Sequence, residues 1–319
     1  MGSIRLLGRI KLGVLGIISL VVVQGAASQV GPTAAADVVR EQSNSGVDIV
    51  VVAHADDWQV FLGDAIVERI RSGRRPVFIY LTAGDHGRDY QYWRQRETAA
   101  LQSTRVALAA QGPSADNAEC DLVRVGSHAI RRCAVGPSES FFLRLPDGNR
   151  NGHGFARNRF ESLRKLRTNR LTVLHSVDSS TSYASWQDLT ATVNALVRMV
   201  ADSMNTHDIV LHTTDPSVRI NPHDHYDHRM AGKLTESLLT MADWSGRYYI
   251  GYALSTRAPN RTAVQQQEKL SVFSAYDREM MQIDPKWSAY REHPRFYADC
   301  MQRTYSRSVR RTSLTARIR

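Results

Sequence analysis

Apolar residues along the chain fall into two patterns: unbroken runs, and stretches in which they recur every three to four positions. "VDIVVVA" (Val47 to Ala53) and "PVFIYLT" (Pro76 to Thr82) are continuous and β-branched, which predicts strands buried on both faces. Between them, "QVFLGDAIVERIRSG" has helical spacing and ends at Gly73, a helix stop. Strand, helix and strand together take about 35 residues, the size of a βαβ unit, so a parallel sheet with covering helices is expected. "GDHGRDY" reads as a loop, and "YWRQRETAALQSTRVALAAQG" as a helix closed by Gly112. Residues 118–145 are rich in β-formers, and a further strand is expected at Leu171 to His175. Ser185 and Asp188 mark the start of a helix, "WQDLTATVNALVRMVADSM". "DIVLHTTDP" is another buried strand, "RMAGKLTESLLTMA" a helix and "RYYIGYAL" a strand. Thr262 and Gln265 open the helix "AVQQQEKLSVFSAY". The predicted fold is α/β: a single domain with a Rossmann-like, mostly parallel sheet and helices on both faces.

The ends of the chain differ from its body. "MGSIRLLGRIKLGVLGIISLVVVQGAASQ" has a basic start, a short apolar run (Leu12 to Val23), then small residues, as a secretory signal peptide does. An uncleaved anchor is the alternative, although a membrane span needs about 20 apolar residues. The expected layout is a signal peptide over 1–28, a linker over 29–46, the domain over 47–300 and a basic tail over 301–319. Export to the periplasm or outside the cell follows, with no span in the mature protein. The net charge of +10 sits largely in three basic residues of the leader and six of the tail, with no acidic residue in either. The body is therefore close to neutral, and no nucleic-acid partner is expected. The tail reads as a solubilising end. Of the three cysteines, Cys120 and Cys133 flank a hairpin and could pair across it in an oxidising compartment. No CxxC occurs, so a cysteine zinc site is not expected. "NRT" at Asn260 to Thr262 is a glycosylation sequon that matters only in a eukaryotic host.

Chemistry concentrates in two places. His54, Asp56 and Asp57 follow the first apolar strand, where ligands collect in open α/β sheets. No GxGxxG is present, so this loop is not a phosphate cradle. A helix cap would account for one aspartate but not for the histidine and the second aspartate. The other cluster, "NPHDHYDHRMAG" (Asn221 to Gly232), also follows a buried strand, and His225 and His228 are spaced to share one side of a helix start. Parallel strands point their carboxyl ends the same way, so the two loops can meet. His54, Asp57 and one late histidine would supply three ligands of a catalytic zinc site, with Asp56 free as a base.

These residues resemble the LmbE-like, or PIG-L, family of zinc-dependent de-N-acetylases. The family's AHPDDE appears as "AHADDW" and its HxDH as "HYDH" (His225 to His228). "YWRQRE" with Arg94 and Glu97, "LPDG" (Leu145 to Gly148) and "EKLSVFSAY" are similar to further family features. The resemblance spans roughly Val47 to Tyr276. It implies that His54, Asp57 and His228 hold Zn2+ (or another divalent metal such as Fe2+) and that Asp56 is the general base. It implies that a charged His225 polarises the amide oxygen or stabilises the oxyanion, oriented by Asp227, and that Arg94 faces substrate. His223 has no family counterpart. Two positions depart: Ala55 replaces a proline, and Trp58 replaces a glutamate, where it would stack on a sugar or pack in the core. The implied activity is removal of an N-acetyl group from an amino-sugar conjugate, with an N-acetylated sugar, glycan or glycolipid as substrate. A non-catalytic carbohydrate-binding protein that kept the fold is the rival reading. A metal-dependent phosphoesterase is disfavoured by the single mononuclear site, and serine hydrolysis by the lack of a G-x-S-x-G elbow.

Overall fold

The computed structural model describes residues 46–112 and 117–310. Its strands are β1 (Val47–Val52), β2 (Arg75–Thr82), β3 (Glu119–Val125), β4 (His128–Val135), β5 (Ser138–Leu145), β6 (Leu174–His175), β7 (Ser182–Tyr183), β8 (Ile209–Thr214), β9 (Ser245–Tyr249) and β10 (Ser306–Val309). Its helices are α1 (Asp57–Arg71), α2 (Tyr90–Leu108), α3 (Leu163–Arg167), α4 (Trp186–Ser203), α5 (Tyr226–Met241), α6 (Ala263–Met281), α7 (Ala289–Glu292) and α8 (Pro294–Met301). Residues 1–45 and 311–319 lie outside the described residues, and with them the leader, nearly all of the linker and the end of the basic tail. Among the described residues no helix is long and apolar enough to cross a membrane.

The main sheet runs β10-β9-β8-β1-β2-β5-β4-β3. β9, β8, β1, β2 and β5 are parallel, while β10, β4 and β3 join by antiparallel pairing. The fold is the expected α/β one. Alternate residues of β1 feed two cores. Ile49 and Val51 pack with Leu196 of α4 and Leu234 of α5, whereas Val50 and Val52 pack with Ile66 of α1, Ala100 of α2 and Phe273 of α6. Burial on both faces is why β1 reads as an unbroken apolar run.

β1 sits between β2 and β8, with Val50 opposite both Phe78 and His212. The chain leaves β1 towards β2 and returns much later through β8 on the other side. That reversal opens a crevice at the carboxyl ends of β1 and β8. α5 closes against it because Gly232 has no side chain: a Cβ there would stand 2.5 Å from the Thr214 carbonyl oxygen.

Three expectations change. The strand at Leu171 to His175 shrinks to β6, which pairs with β7 in a separate ribbon. "RYYIGYAL" stops being strand at Tyr249 and becomes a 3-10 turn over Tyr252–Thr256, because Gly251 passes tightly against Asp224. The domain does not end at 300: β10, inside the expected tail, pairs antiparallel with β9. Its Arg307 binds Asp215 at 2.5 Å and lies over the Tyr248 ring. A short, basic edge strand has the composition of a disordered end, yet charge on an edge is how sheets avoid unwanted pairing. Cys120 and Cys133 are a register pair of β3 and β4 and form a disulfide.

Lys269 fastens this C-terminal segment. Fully buried in α6, its Nζ donates to the carbonyls of Cys300 and Arg303 and to Thr304 Oγ1, at 3.1, 2.6 and 2.9 Å. Burial lowers its pKa to about 8, against the pull of Asp64. Above that value the unfolded chain still holds a proton that the folded chain has lost, so stability rises with pH. Relative to Lys269→Met, the wild type should gain about 2 kcal/mol between about pH 8 and 9.5 in denaturant titrations. A difference that stays flat with pH would exclude this linkage.

Candidate metal centre

β1 ends in a tight turn that Asp57 closes: its Oδ2 accepts the His54 backbone N–H at 2.8 Å. The same carboxylate turns Oδ1 towards His54 Nδ1 (3.3 Å) and His228 Nε2 (3.0 Å). His228 arrives from the first turn of α5, and its Nε2 lies 3.2 Å from His54 Nδ1. His54, Asp57 and His228 are all buried. Ligand atoms 2.0–2.1 Å from a tetrahedral ion stand about 3.3 Å apart. The three observed separations are close to that spacing.

The three groups set one another's ionisation. Burial alone would raise Asp57, yet charge on His228 and His54 holds the carboxyl well below its usual range. Burial would lower His228, but Asp57 and Asp224 push it up to about 10. His54 is likewise raised well above an ordinary imidazole, against its own burial, chiefly by Asp57. His228 Nδ1 is paired with Asp224 Oδ1 at 2.9 Å, so in the neutral ring it is Nε2 that would present a lone pair. Two imidazole nitrogens and a carboxylate oxygen are a suitable donor set for zinc or iron.

Asp56 stands beside the triad without joining it. Its Oδ1 accepts from Arg96 Nη2 at 2.6 Å, and it lines a cavity of about 600 Å³ above the three ligands. His225 caps α5, its Nδ1 accepting the Asp227 N–H at 3.2 Å. In the neutral ring that bond leaves the proton on Nε2, which faces Asp147 Oδ1 at 3.7 Å. Burial and the neighbouring His54 charge lower His225 to about 4, a direction opposed to the charged form expected. Any cation bound by His54 acts in the same direction.

Asp227 contacts His225, the residue it is expected to orient, through its backbone rather than its carboxylate. Its side chain lies 3.8 Å from His225 Nδ1, and it is the backbone N–H that bonds that ring. The carboxylate accepts the Gly148 N–H at 2.7 Å and faces His54 Nε2 at 3.6 Å. His223 is exposed and stands apart from the ligand groups.

Neither residue expected to face substrate lines the cavity, and Trp58 takes the alternative of packing in the core. Trp58 is fully buried, tilted on Phe78 at 4.8 Å and donating Nε1–H to Tyr80 Oη at 3.0 Å. It belongs to the α1–sheet core and does not line the cavity. Arg94 is absent from the lining too: its Nη1 binds Glu97 at 2.5 Å. Successive helical residues turn by about 100°, so Arg96 points roughly 200° away from Arg94. It is Arg96 that reaches Asp56.

Three site residues went unassigned from sequence. Asp224 sits inside the "HDHYDH" run, hidden among better ligands. Asp147 comes from "LPDG" and opens on the cavity near both His54 and His225. Arg96 is one residue from the glutamate of the R-x-x-E pattern. A helical-face count would have separated it from Arg94; the other two lie in motifs noted above, but nothing local gives either a role.

An α/β sheet with buried His/Asp groups at its switch point that could hold a metal ion, His54 with Asp57 and His228 and His54 with Asp147, His225 and Asp227, defines the class of this site. Residues 49–239 match the family model described as PIG-L: GlcNAc-PI de-N-acetylase. That segment is more than half the chain, and the chain belongs to the PIG-L (LmbE-like) deacetylase family. No curated protein sequence matches it significantly. Similar solved structures include the N,N'-diacetylchitobiose deacetylase from Pyrococcus horikoshii, at 15% identity and TM-score 0.42, covering 84% of this chain and 85% of that one. The zinc-inhibited form of teicoplanin deacetylase Orf2 is similar at 10% identity and TM-score 0.40, covering 83% and 98%. GalB, a 4-carboxy-2-hydroxymuconate hydratase from Pseudomonas putida KT2440, is similar at 12% identity and TM-score 0.37, covering 78% and 89%.

Two variants check this assignment of parts. Asp224→Asn should weaken metal binding about 10- to 100-fold while His228 stays in place, measured by competition with a chelator. Trp58→Ala should cost about 3–5 kcal/mol of stability in urea melts yet keep its metal, as a core residue does.

Proposed function

We propose that the chain is a metal-dependent hydrolase that removes an N-acetyl group from an amino-sugar conjugate. The observation that carries this reading is the convergence of His54 Nδ1, Asp57 Oδ1 and His228 Nε2 beneath a cavity that Asp56 and His225 also line. A divalent cation held there, zinc by the donor set, would polarise an amide oxygen and acidify a water molecule. Asp56, steadied by Arg96, accepts the proton that the water gives up as it attacks the carbonyl carbon. His225 presents its Nε2–H to the oxygen that gains negative charge, a neutral donor aimed at the developing oxyanion. The C–N bond breaks, and the leaving amine takes a proton back from Asp56. Acetate and the free amine are the products.

The rival reading, a non-catalytic carbohydrate-binding protein that kept the fold, rests on Trp58 standing in place of the family's glutamate; the grouping of His54, Asp57 and His228 favours the catalytic reading. Export is part of the proposal. The basic-apolar leader motivates it, and the Cys120–Cys133 disulfide fits an oxidising compartment.

Asp56→Asn should retain close to one metal per chain and lose activity by about 10²- to 10⁴-fold on N-acetylated sugars. His228→Ala should lose the metal altogether by elemental analysis. An active Asp56→Asn enzyme would remove the base assignment, and full metal content in His228→Ala would remove the ligand assignment.

A further inference from the structure

The floor of the cavity and its mouth have different chemistry. On the floor, the carboxylates are engaged: Asp56 with Arg96, Asp57 with His54 and His228, and Asp147 facing His54 and His225. At the mouth stand Arg88, Arg150 and Lys286. Arg88 lies over the Tyr92 ring at 4.5 Å and Arg150 over Tyr252 at 5.6 Å. Among the described residues, none of these three side chains has a carboxylate partner. Of the acidic residues around the mouth, Glu292 lies 3.8 Å from His293, Asp284 accepts the Lys286 backbone N–H at 2.9 Å and Asp89 caps α2 through the Tyr92 N–H. Unpaired cations around a concave opening attract anions and raise their local concentration.

The far wall is aromatic and comes from a part of the chain beyond the family match, which ends at residue 239. Trp287 meets Tyr92 edge to face at 5.1 Å, and Phe296 meets Tyr252 at 5.6 Å. A volume of about 600 Å³ lies within the roughly 300–1,000 Å³ that drug-sized ligands occupy. It therefore holds more than the reacting sugar ring. Rings that carry apolar faces beside polar edges suit the C–H faces of a second sugar.

We propose that this wall is a second subsite, for an acidic saccharide unit joined to the reacting sugar. Arg88, Arg150 and Lys286 bind its carboxylate or phosphate, and Trp287 packs on its ring. The inference rests on the deacetylase reading of the floor, and it places the determinants of substrate choice on residues 285–297 and on the loops that carry Arg88 and Arg150.

The test is calorimetric binding to the metal-loaded protein at low salt. The probes are N-acetylglucosamine alone and three disaccharides in which it is joined to glucose, to glucuronic acid or to a glucose phosphate ester. The acidic disaccharides should bind about tenfold more tightly than the neutral one, and the advantage should shrink at high salt. In Arg88→Gln/Lys286→Gln the advantage should vanish; both residues are exposed, so a matching melting curve verifies the fold. Trp287→Ala should lower the ratio of disaccharide to monosaccharide affinity several-fold. Preference for only one acidic probe identifies the anion. Equal binding of neutral and acidic disaccharides by the wild type overturns the proposal, as does an acidic advantage untouched in the double variant. Acetate release from the same probes is measured in parallel. Its absence with the acidic preference intact would defeat the deacetylase reading and leave the subsite standing.

Discussion

Three lone pairs brought within about 3.3 Å of one another have no stable arrangement unless something positive lies between them. His54, Asp57 and His228 are held in that arrangement by the surrounding structure. The turn after β1 fixes His54 against Asp57, and Asp224 holds the far nitrogen of His228. The carboxylates drive both imidazoles towards protonation, and a divalent cation satisfies the same demand with the rings neutral. The rest of the site is arranged around that demand. Asp56 and His225 border the ligands without being consumed by them, which leaves one oxygen-based acceptor and one N–H donor for a reaction.

What brings the ligands together is sheet topology. His54 and His228 are separated by most of the domain, and they meet because β1 and β8 are parallel neighbours at the switch point. The close seat of α5 on β8 at Gly232 then sets the depth of His228. A bulkier residue there would lift the helix and part the triad, though it would touch no ligand. Gly148 serves similarly: a Cβ would stand 2.5 Å from an Asp227 carboxylate oxygen. Backbone packing and the spacing of His54, Asp57 and His228 are thus one constraint seen from two sides.

The aromatic wall of the cavity belongs mostly to a later part of the chain. α6, the 3-10 turn that ends at Trp287 and α8 supply it, and Lys269 ties α6 to the segment that leads into β10. The floor and the wall are consequently built from different lengths of sequence on one scaffold, as expected when a shared chemistry is combined with a particular substrate.

Sequence alone determined the parallel-strand core, its covering helices and the ligand-type residues His54, Asp56, Asp57, His225 and His228. Those features are local: unbroken β-branched runs, helical periodicity and dense polar motifs at strand ends all act within a few residues. Tertiary structure decided which side chains face one another. It sent Trp58 into the core because α1 lies flat on the sheet, and it turned Arg96 rather than Arg94 towards Asp56 by helical rotation. It made Asp224 the partner of a metal-type histidine and Asp147 the neighbour of two more. It also drew a short basic stretch into the sheet as β10, because an open edge at β9 offered hydrogen bonds that composition does not reveal. Spacing along a chain limits which residues can share a face, but only packing fixes the distance between residues on different elements.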